Sequence, residues 1–110
     1  MAGTFELKPA SGGQFMFNLK AANGQVILTS ETYTTKANAQ KGIESVRVNA
    51  PSNARYERRK SVRNEPYFDL KAANGEKLGR SEMYSSDAAM EGGIASVKAN
   101  APAAVVKDLT

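Results

Sequence analysis

The chain repeats itself at an offset of 51 residues, and this duplication limits what it can fold into. The octet FNLKAANG at 17–24 recurs as FDLKAANG at 68–75. Other matched segments are SETY and SEMY at 30–33 and 81–84, GIESV and GIASV at 42–46 and 93–97, and NAP at 49–51 and 100–102. About half of the positions from 17 to 51 are identical to their partners. Because a solenoid usually needs at least about three repeats, two copies favour a pseudo-twofold domain with one shared core.

The duplication also predicts the domain organisation. We expect a single domain over residues 1–110, with repeat one at about 1–51 and repeat two at about 52–110. A chain of 110 residues, of which 41% are hydrophobic, can bury a modest core without metals or disulfides.

The first half of each repeat alternates as a half-buried β-strand does. Phe15, Phe17 and Leu19 fall on one face of an extended chain, and the residues between them fall on the other. The Asn-Gly steps at 23–24 and 74–75 then predict hairpin turns, because both residue types tolerate a positive φ.

The pairing across these hairpins depends on the length of the loop. A two-residue loop suits repeat one but would place Lys77 of repeat two on the apolar face. A three-residue Ala-Asn-Gly loop, with glycine in the left-handed bulge position, sets apolar residues opposite each other in both copies. The expected pairs are Leu19 with Ile27 and Leu70 with Leu78.

The second half of each repeat has the period of a helix. Ala39, Ile43 and Val46 recur at i, i+4 and i+7 and form one apolar stripe. Their partners in repeat two are Met90, Ile94 and Val97. Thr35 and Ser86 are the predicted N-caps, because a hydroxyl there accepts a hydrogen bond from a free backbone N–H. Proline ends both predicted helices, at Pro51 and Pro102.

Further extended segments lie outside these units. They are 5–8 at the start of the chain, 55–62 after the first helix and 105–109 after the second. Together with the two hairpins, these segments predict a sheet of about eight strands.

In combination, the motifs FNLKAANG (FDLKAANG in repeat two), SE-x-Y and GI-x-SV-x-x-NAP, present in both repeats, resemble the YegP-like family of small bacterial proteins. The resemblance covers almost the whole chain. It implies an α+β fold of tandem β(3)-α-β units that share a single antiparallel sheet, with exchanged C-terminal strands and two helices packed on the sheet. It also implies a domain of unknown function, and a two-copy form that resembles a covalently linked dimer and is a monomer.

The composition excludes several classes of catalytic chemistry. Without cysteine there is no disulfide, thiol nucleophile or thiolate metal site, and without histidine the commonest general base and metal ligand is missing. Ser45 and Lys41 could form a Ser-Lys catalytic pair, but a serine and a lysine four residues apart in a helix are common by chance. The aspartates are scattered and lack the spacing of a calcium loop. We therefore expect no enzymatic activity, no cofactor and no metal.

Charge and hydropathy predict a cytoplasmic protein that does not enter membranes. Glu6 and Lys8 interrupt the stretch where a secretory signal would need an apolar run. The longest aliphatic run is 26–28, whereas a membrane-spanning helix needs about 20 apolar residues. The net charge of +4 favours weak encounters with polyanions but selects no particular partner.

One group of hydroxyl, carboxylate and phenol side chains occurs twice and is a candidate for ligand contact. Its members are Ser30, Glu31, Tyr33, Ser81, Glu82 and Tyr84. A structural interpretation is also open, because a strand-to-helix junction needs these residue types to end the strand and begin the helix. The nearby helix glycines Gly42 and Gly93 have the same two interpretations, close packing or the approach of a ligand to the backbone.

The densest basic segment, 55–63, is the second candidate. Arginine beside an aromatic ring can grip phosphates and stack on a base, which suggests weak contact with single-stranded nucleic acid. The candidate contact residues are Arg55, Tyr56, Arg58, Arg59, Lys60 and Arg63. Alternatively the segment is a charged edge strand, since lysine and arginine on an edge deter aggregation.

The sequence thus predicts a small non-catalytic binding or accessory module whose partner is unspecified. One alternative is a weak binder of single-stranded nucleic acid, such as RNA, through segment 55–63. The other is a structural or stress-associated protein with an unknown protein partner.

Overall fold

A computed structural model describes residues 3–110 of the chain. Its strands are β1 (Thr4–Ala10), β2 (Gln14–Lys20), β3 (Val26–Ser30), β4 (Tyr56–Lys60), β5 (Pro66–Lys71), β6 (Lys77–Arg80) and β7 (Val105–Asp108). Its helices are α1 (Lys36–Asn49) and α2 (Asp87–Asn100). Two short 3₁₀ turns, Ser11–Gly13 and Asn53–Arg55, complete the regular structure.

The strands of the described residues form one sheet in the order β4-β5-β6-β3-β2-β1-β7. Each repeat contributes a three-stranded meander, β1-β2-β3 or β4-β5-β6, and the meanders join where β3 pairs antiparallel with β6. Both helices pack against one face of this sheet. The predicted α+β fold of two repeats with two helices on a shared sheet is therefore confirmed.

Two details of the predicted sheet are wrong. The sheet is mixed rather than antiparallel, because β7 runs parallel to β1. Residues 3–110 form seven strands rather than about eight, because the strand that follows α1 is itself the first strand of the second meander. That strand, β4, pairs within repeat two. Strand β7 returns from α2 to pair with β1 of repeat one, which is the exchange of a C-terminal strand that the resemblance implies.

The hairpin loops have the predicted length. In repeat one the Ala21 N–H donates to the Gln25 carbonyl over 2.9 Å, which leaves a three-residue loop of Ala-Asn-Gly. The loop glycines, Gly24 and Gly75, take φ values of 84° and 87°, a region that glycine enters without steric cost.

The predicted residue pairs beyond the loops are wrong. Leu19 lies opposite Leu28 and Leu70 lies opposite Gly79, because a β-bulge shifts the register of each hairpin by one residue. The bulge buries two consecutive residues on the helix side, which in repeat two are Leu78 and Gly79. A Cβ on Gly79 would come within 2.9 Å of Leu28 Cγ, so the junction of the repeats requires glycine there.

The helices begin and face the sheet as predicted. The Thr35 and Ser86 hydroxyls each accept a hydrogen bond of 3.1 Å, from the N–H groups of Asn38 and Ala89 respectively. The apolar stripe of each helix is buried against the sheet, with members Ala39, Ile43, Val46, Met90, Ile94 and Val97. No helix within residues 3–110 combines the length and the apolar character that a membrane crossing needs.

Candidate binding surfaces

The repeated serines end their strands. The Ser30 hydroxyl accepts from the Phe17 N–H at 2.8 Å and donates to the Glu31 carbonyl at 2.7 Å. Ser81 makes the equivalent bonds with Phe68 and Glu82, at 3.0 Å and 2.8 Å. Both hydroxyls are thus used within the fold.

The repeated tyrosines explain the helix glycines. Tyr33 stacks on Phe17 with their ring centroids 6.2 Å apart, and its hydroxyl lies against Gly42, where a Cβ would collide with it. Tyr84 packs in the same way against Phe68 and against Gly93 of α2. Packing of the helix on a tyrosine therefore accounts for both glycines.

Both tyrosines also line clefts at the junction of the two repeats. The first cleft, about 390 Å³ in volume, is lined by Tyr33, Asn38, Lys41, Gly42, Ser45, Glu76 and Leu78. The second cleft, also about 390 Å³, is lined by Gln25, Val26, Ile27, Glu82, Met83 and Tyr84. The two clefts correspond at three residue pairs, Tyr33 with Tyr84, Glu76 with Gln25 and Leu78 with Ile27. The first cleft is also lined by α1, whereas the second is lined by the segment before α2.

The predicted ligand-contact residues are thus divided between packing and clefts. Tyr33 lines the first cleft, and Glu82 and Tyr84 line the second. Glu31 instead forms an ion pair of 3.8 Å with Lys77 across the junction. Burial raises the pKa of Tyr33, and the nearby carboxylates of Glu76 and Glu31 raise it further, so its hydroxyl stays protonated and can donate.

The basic segment 55–63 does not form one patch. Strand β4 lies at an edge of the sheet, as the second interpretation of the segment predicted, and its side chains alternate between the two faces. Arg58 and Lys60 turn to the helix side, where they pair with Glu91 and Asp87 of α2.

The remaining members of the segment have separate roles. Tyr56 is buried, and its hydroxyl donates to the Ala50 carbonyl at 2.7 Å, so its ring cannot stack on a base. The Arg55 guanidinium donates to Asn49 at 3.1 Å, and Arg63 is exposed in the turn after β4. Arg59 alone among the basic residues of β4 points to the face of the sheet that the helices leave uncovered.

We call this uncovered surface the open face. One row of paired residues crosses it in the order Lys107, Glu6, Asn18, Thr29, Arg80, Asp69 and Glu57. The basic residues that its strands place there are Lys8, Lys20, Arg59, Lys71, Lys77, Arg80 and Lys107, and the acidic ones are Glu6, Glu57 and Asp69. Cations therefore outnumber carboxylates on this face.

Each carboxylate of the open face serves more than one cation. Glu6 accepts from Lys20 at 3.2 Å and lies 3.7 Å from Lys8. The hydrogen bond from Lys20 is the main cause of a lowered pKa at Glu6. In repeat two, Glu57 bridges Lys71 and Arg59 in the same way, at 3.2 Å and 2.9 Å. The ion pairs thus leave positive charge in excess on both halves of the face.

At the centre of repeat two's half, a buried carboxylate and an aromatic ring hold an arginine. Asp69 is 1% exposed and accepts from Arg80 at 2.8 Å. The Arg80 guanidinium also lies 4.9 Å from the Tyr67 ring centroid, a cation–π distance. Sequence reasoning missed this surface, although alternation along each predicted strand could have collected its lysines and arginines on one side.

Within residues 3–110, no three Asp or Glu side chains come close enough together to form a metal site.

Comparisons with known proteins identify the family. A model of a domain of unknown function, DUF1508, matches twice, at residues 10–57 and 61–108. A UPF0339 protein of Bordetella pertussis is 58% identical over 100% of this chain and 98% of its own length. The UPF0339 protein YegP of Escherichia coli K12 is 54% identical over the whole of both chains.

Solved structures of two relatives share the fold. The solution NMR structure of the E. coli protein of unknown function yegP matches with a TM-score of 0.94 and 54% identity, covering 100% of this chain and 95% of that one. A UPF0339 protein of Shewanella oneidensis, also solved by NMR, matches with a TM-score of 0.93 and 53% identity over 100% and 93% of the two chains. The chain belongs to the DUF1508 family, the YegP-like UPF0339 proteins.

Proposed function

We propose that this chain is a non-catalytic, cytoplasmic binding module that holds single-stranded nucleic acid weakly on the open face. The observation that carries the proposal is the excess of cations on this uncovered face. Its strands place seven basic residues there against three acidic ones, and Glu31, which pairs with Lys77, adds a fourth carboxylate. Such a surface attracts a phosphate backbone electrostatically and releases its counterions on contact.

The side chains of the face suit a flexible single strand. The sheet surface is lined with long side chains that can follow a flexible backbone, and it offers Arg80 stacked over Tyr67 as a planar group. Since guanidinium planes stack on bases as well as bind phosphates, this pair is the expected site of base contact.

The test is an amide NMR titration with oligo(dT) of about ten nucleotides at about 20 mM and about 150 mM salt. We expect shifts on the open-face strands at the lower salt that weaken steeply at the higher. Contact with three phosphates would give a slope of log K against log salt of about −2.

A pair of equivalent lysines gives the sharpest variant. Changing Lys20→Gln and Lys71→Gln removes two cations from the open face, while Glu6 and Glu57 keep Lys8 and Arg59 as partners. The slope should fall by about 1.4 in magnitude. The matched control is Lys41→Gln with Lys98→Gln, which removes the same charge from the helix side of the sheet.

Two outcomes would overturn the proposal. One is the absence of shifts on the open face at low salt in the folded wild-type chain. The other is an equal loss of binding in the helix-side control, because that would trace the binding to net charge rather than to this face.

A further inference from the structure

The two clefts at the junction of the repeats have equivalent positions but different linings. The first cleft has Asn38 and Lys41 on α1, where repeat two has Ala89 and Gly92. It has Glu76 on the opposing hairpin, and the equivalent residue at the second cleft is Gln25. The first cleft alone therefore combines a cation and a carboxylate from different repeats.

Local structure fixes both charged positions. Asn38 and Lys41 are carried by the first turns of α1, whose start is set by the Thr35 cap. Glu76 is held by the hairpin loop, where its N–H donates to the Asn74 side chain at 2.9 Å. The cleft walls thus come from two rigid elements that meet across the repeat junction.

The charges of the first cleft are not used by the fold. Within residues 3–110, neither Lys41 nor Glu76 forms an ion pair, whereas most charged residues of the strands do. Tyr33 lines the same cleft, and its hydroxyl stays protonated because burial and the Glu76 carboxylate raise its pKa. Leu78 adds an apolar wall.

We infer that the first cleft binds a small zwitterion, a free α-amino acid or a similar amino-carboxylate. Its carboxylate contacts Lys41 and its ammonium contacts Glu76, with the Tyr33 hydroxyl and the Asn38 amide as further donors to the carboxylate. The volume of about 390 Å³ lies in the lower part of the range of about 300–1,000 Å³ that small-molecule sites occupy. This site lies on the helix side and is independent of the open face.

The test is an amide NMR titration with four probes: glycine, L-glutamate, acetate and methylammonium. We expect the two amino acids to shift the amides of Gly42, Ser45 and Glu76. Acetate and methylammonium, each of which carries one charge, should bind at least about tenfold more weakly, since each loses one charged contact. Equal binding by acetate, or no shift with either amino acid, would overturn the inference.

Variants at both clefts sharpen the result. Lys41→Gln and Glu76→Gln should each weaken amino-acid binding about tenfold, and both sites are exposed, so the fold is retained. The converse change, Gly92→Lys with Gln25→Glu, should create binding at the second cleft, read from new shifts at Gly93 and Ser96. Position 92 accepts the change because nothing lies within 4 Å of a Cβ built there. A Lys41→Gln variant that binds glycine as tightly as the wild type would contradict the inference.

Discussion

The outer strands of the two meanders, β1 and β4, are equivalent in sequence but have different neighbours in the sheet. Strand β1 forms one edge of the two meanders and β4 forms the other, and the two strands are related by the offset of 51 residues. Strand β7 pairs with the outer side of β1. In residues 3–110 no strand pairs with the outer side of β4.

The side chains at equivalent positions explain this difference. Leu7 of β1 is fully buried and depends on neighbours for cover, whereas its equivalent in β4 is Arg58. Arg58 covers its own edge by reaching over α2, where it donates to the Glu91 carboxylate at 2.9 Å. A charged edge of this kind resists pairing with another strand, so it needs no covering strand.

An ion pair joins the start of a helix to the outermost strand on both sides of the sheet, but the helix residue is basic on one side and acidic on the other. On the β7 side, Lys36 at the start of α1 pairs with Asp108 at 2.5 Å. On the β4 side, the equivalent helix residue is Asp87, and it pairs with Lys60 at 3.9 Å. The outer strand of a duplicated unit can therefore be covered by another strand or by long side chains. A few residues decide which of the two occurs.

Reciprocal substitutions should separate the two edges most clearly. Leu7→Arg places a charge in the buried core on the helix side of β1 and should lower the free energy of unfolding by at least about 3 kcal/mol. Arg58→Leu removes only a partly exposed ion pair and should change it by at most about 1 kcal/mol. Urea unfolding followed by circular dichroism measures both, and equal losses would refute the difference between the edges.

Removal of β7 should have the next largest effect. A chain that ends at residue 104 loses the parallel ladder and exposes Leu7, so the free energy of unfolding should fall by about 2–4 kcal/mol. The control is Lys107→Ala, which keeps the ladder and should stay within about 0.5 kcal/mol of the wild type. A truncated chain as stable as the full one would show that β7 does not stabilise β1.

The Lys36–Asp108 pair should make the β7 edge sensitive to acid. The hydrogen bond from Lys36 lowers the pKa of Asp108 below its ordinary value of about 3.9. A carboxyl with a lowered folded-state pKa stabilises the fold above about pH 4, and this stabilisation is lost as the pH falls further.

Asp108→Asn should therefore flatten the acid limb of the stability profile, leaving the contributions of Glu6, Glu57 and Glu91, whose pKa values are also lowered. Thermal melts between about pH 5 and pH 2 measure this. Glu44→Gln is the control, because Glu44 pairs only within α1. An acid limb in Asp108→Asn as steep as in the wild type would contradict the assignment.

The smallest expected effect is the coupling between Arg58 and Glu91. Both side chains are more than a third exposed. A double-mutant cycle with Arg58→Gln and Glu91→Gln should therefore give a coupling energy of about 0.5 kcal/mol. A coupling of several kcal/mol would mean that this pair, and not the charge of the edge strand, closes the β4 edge.

Local features of the fold could be predicted from sequence because they depend on neighbouring residues. The Asn-Gly loops and the Thr35 and Ser86 caps follow from backbone preferences and short-range hydrogen bonds. The pairing of Leu19 could not be predicted, because the alternation of apolar residues does not reveal the β-bulge that sets Leu19 opposite Leu28.

Features that depend on contact between the two repeats could not be predicted from the sequence. The segment 105–109 was predicted to be extended, but four exposed residues carry no signal for pairing parallel to β1. The first cleft joins Lys41 to Glu76 across the repeat junction, and neither residue belongs to a repeated motif. Only Tyr33, Glu82 and Tyr84 among the predicted ligand contacts reach a cleft.

Amide hydrogen exchange in β1 and β4 is the most direct test of the central claim. The claim is that β7 covers the outer side of β1, whereas only side chains cover the outer side of β4. The parallel register turns the Phe5 and Leu7 N–H groups toward β7, and the equivalent alternation turns those of Arg58 and Lys60 toward solvent. We predict slow exchange at Phe5 and Leu7, fast exchange at Arg58 and Lys60, and loss of the protection at Phe5 and Leu7 in the chain truncated after residue 104. Protection at Arg58 and Lys60 equal to that at Leu7 would contradict the account.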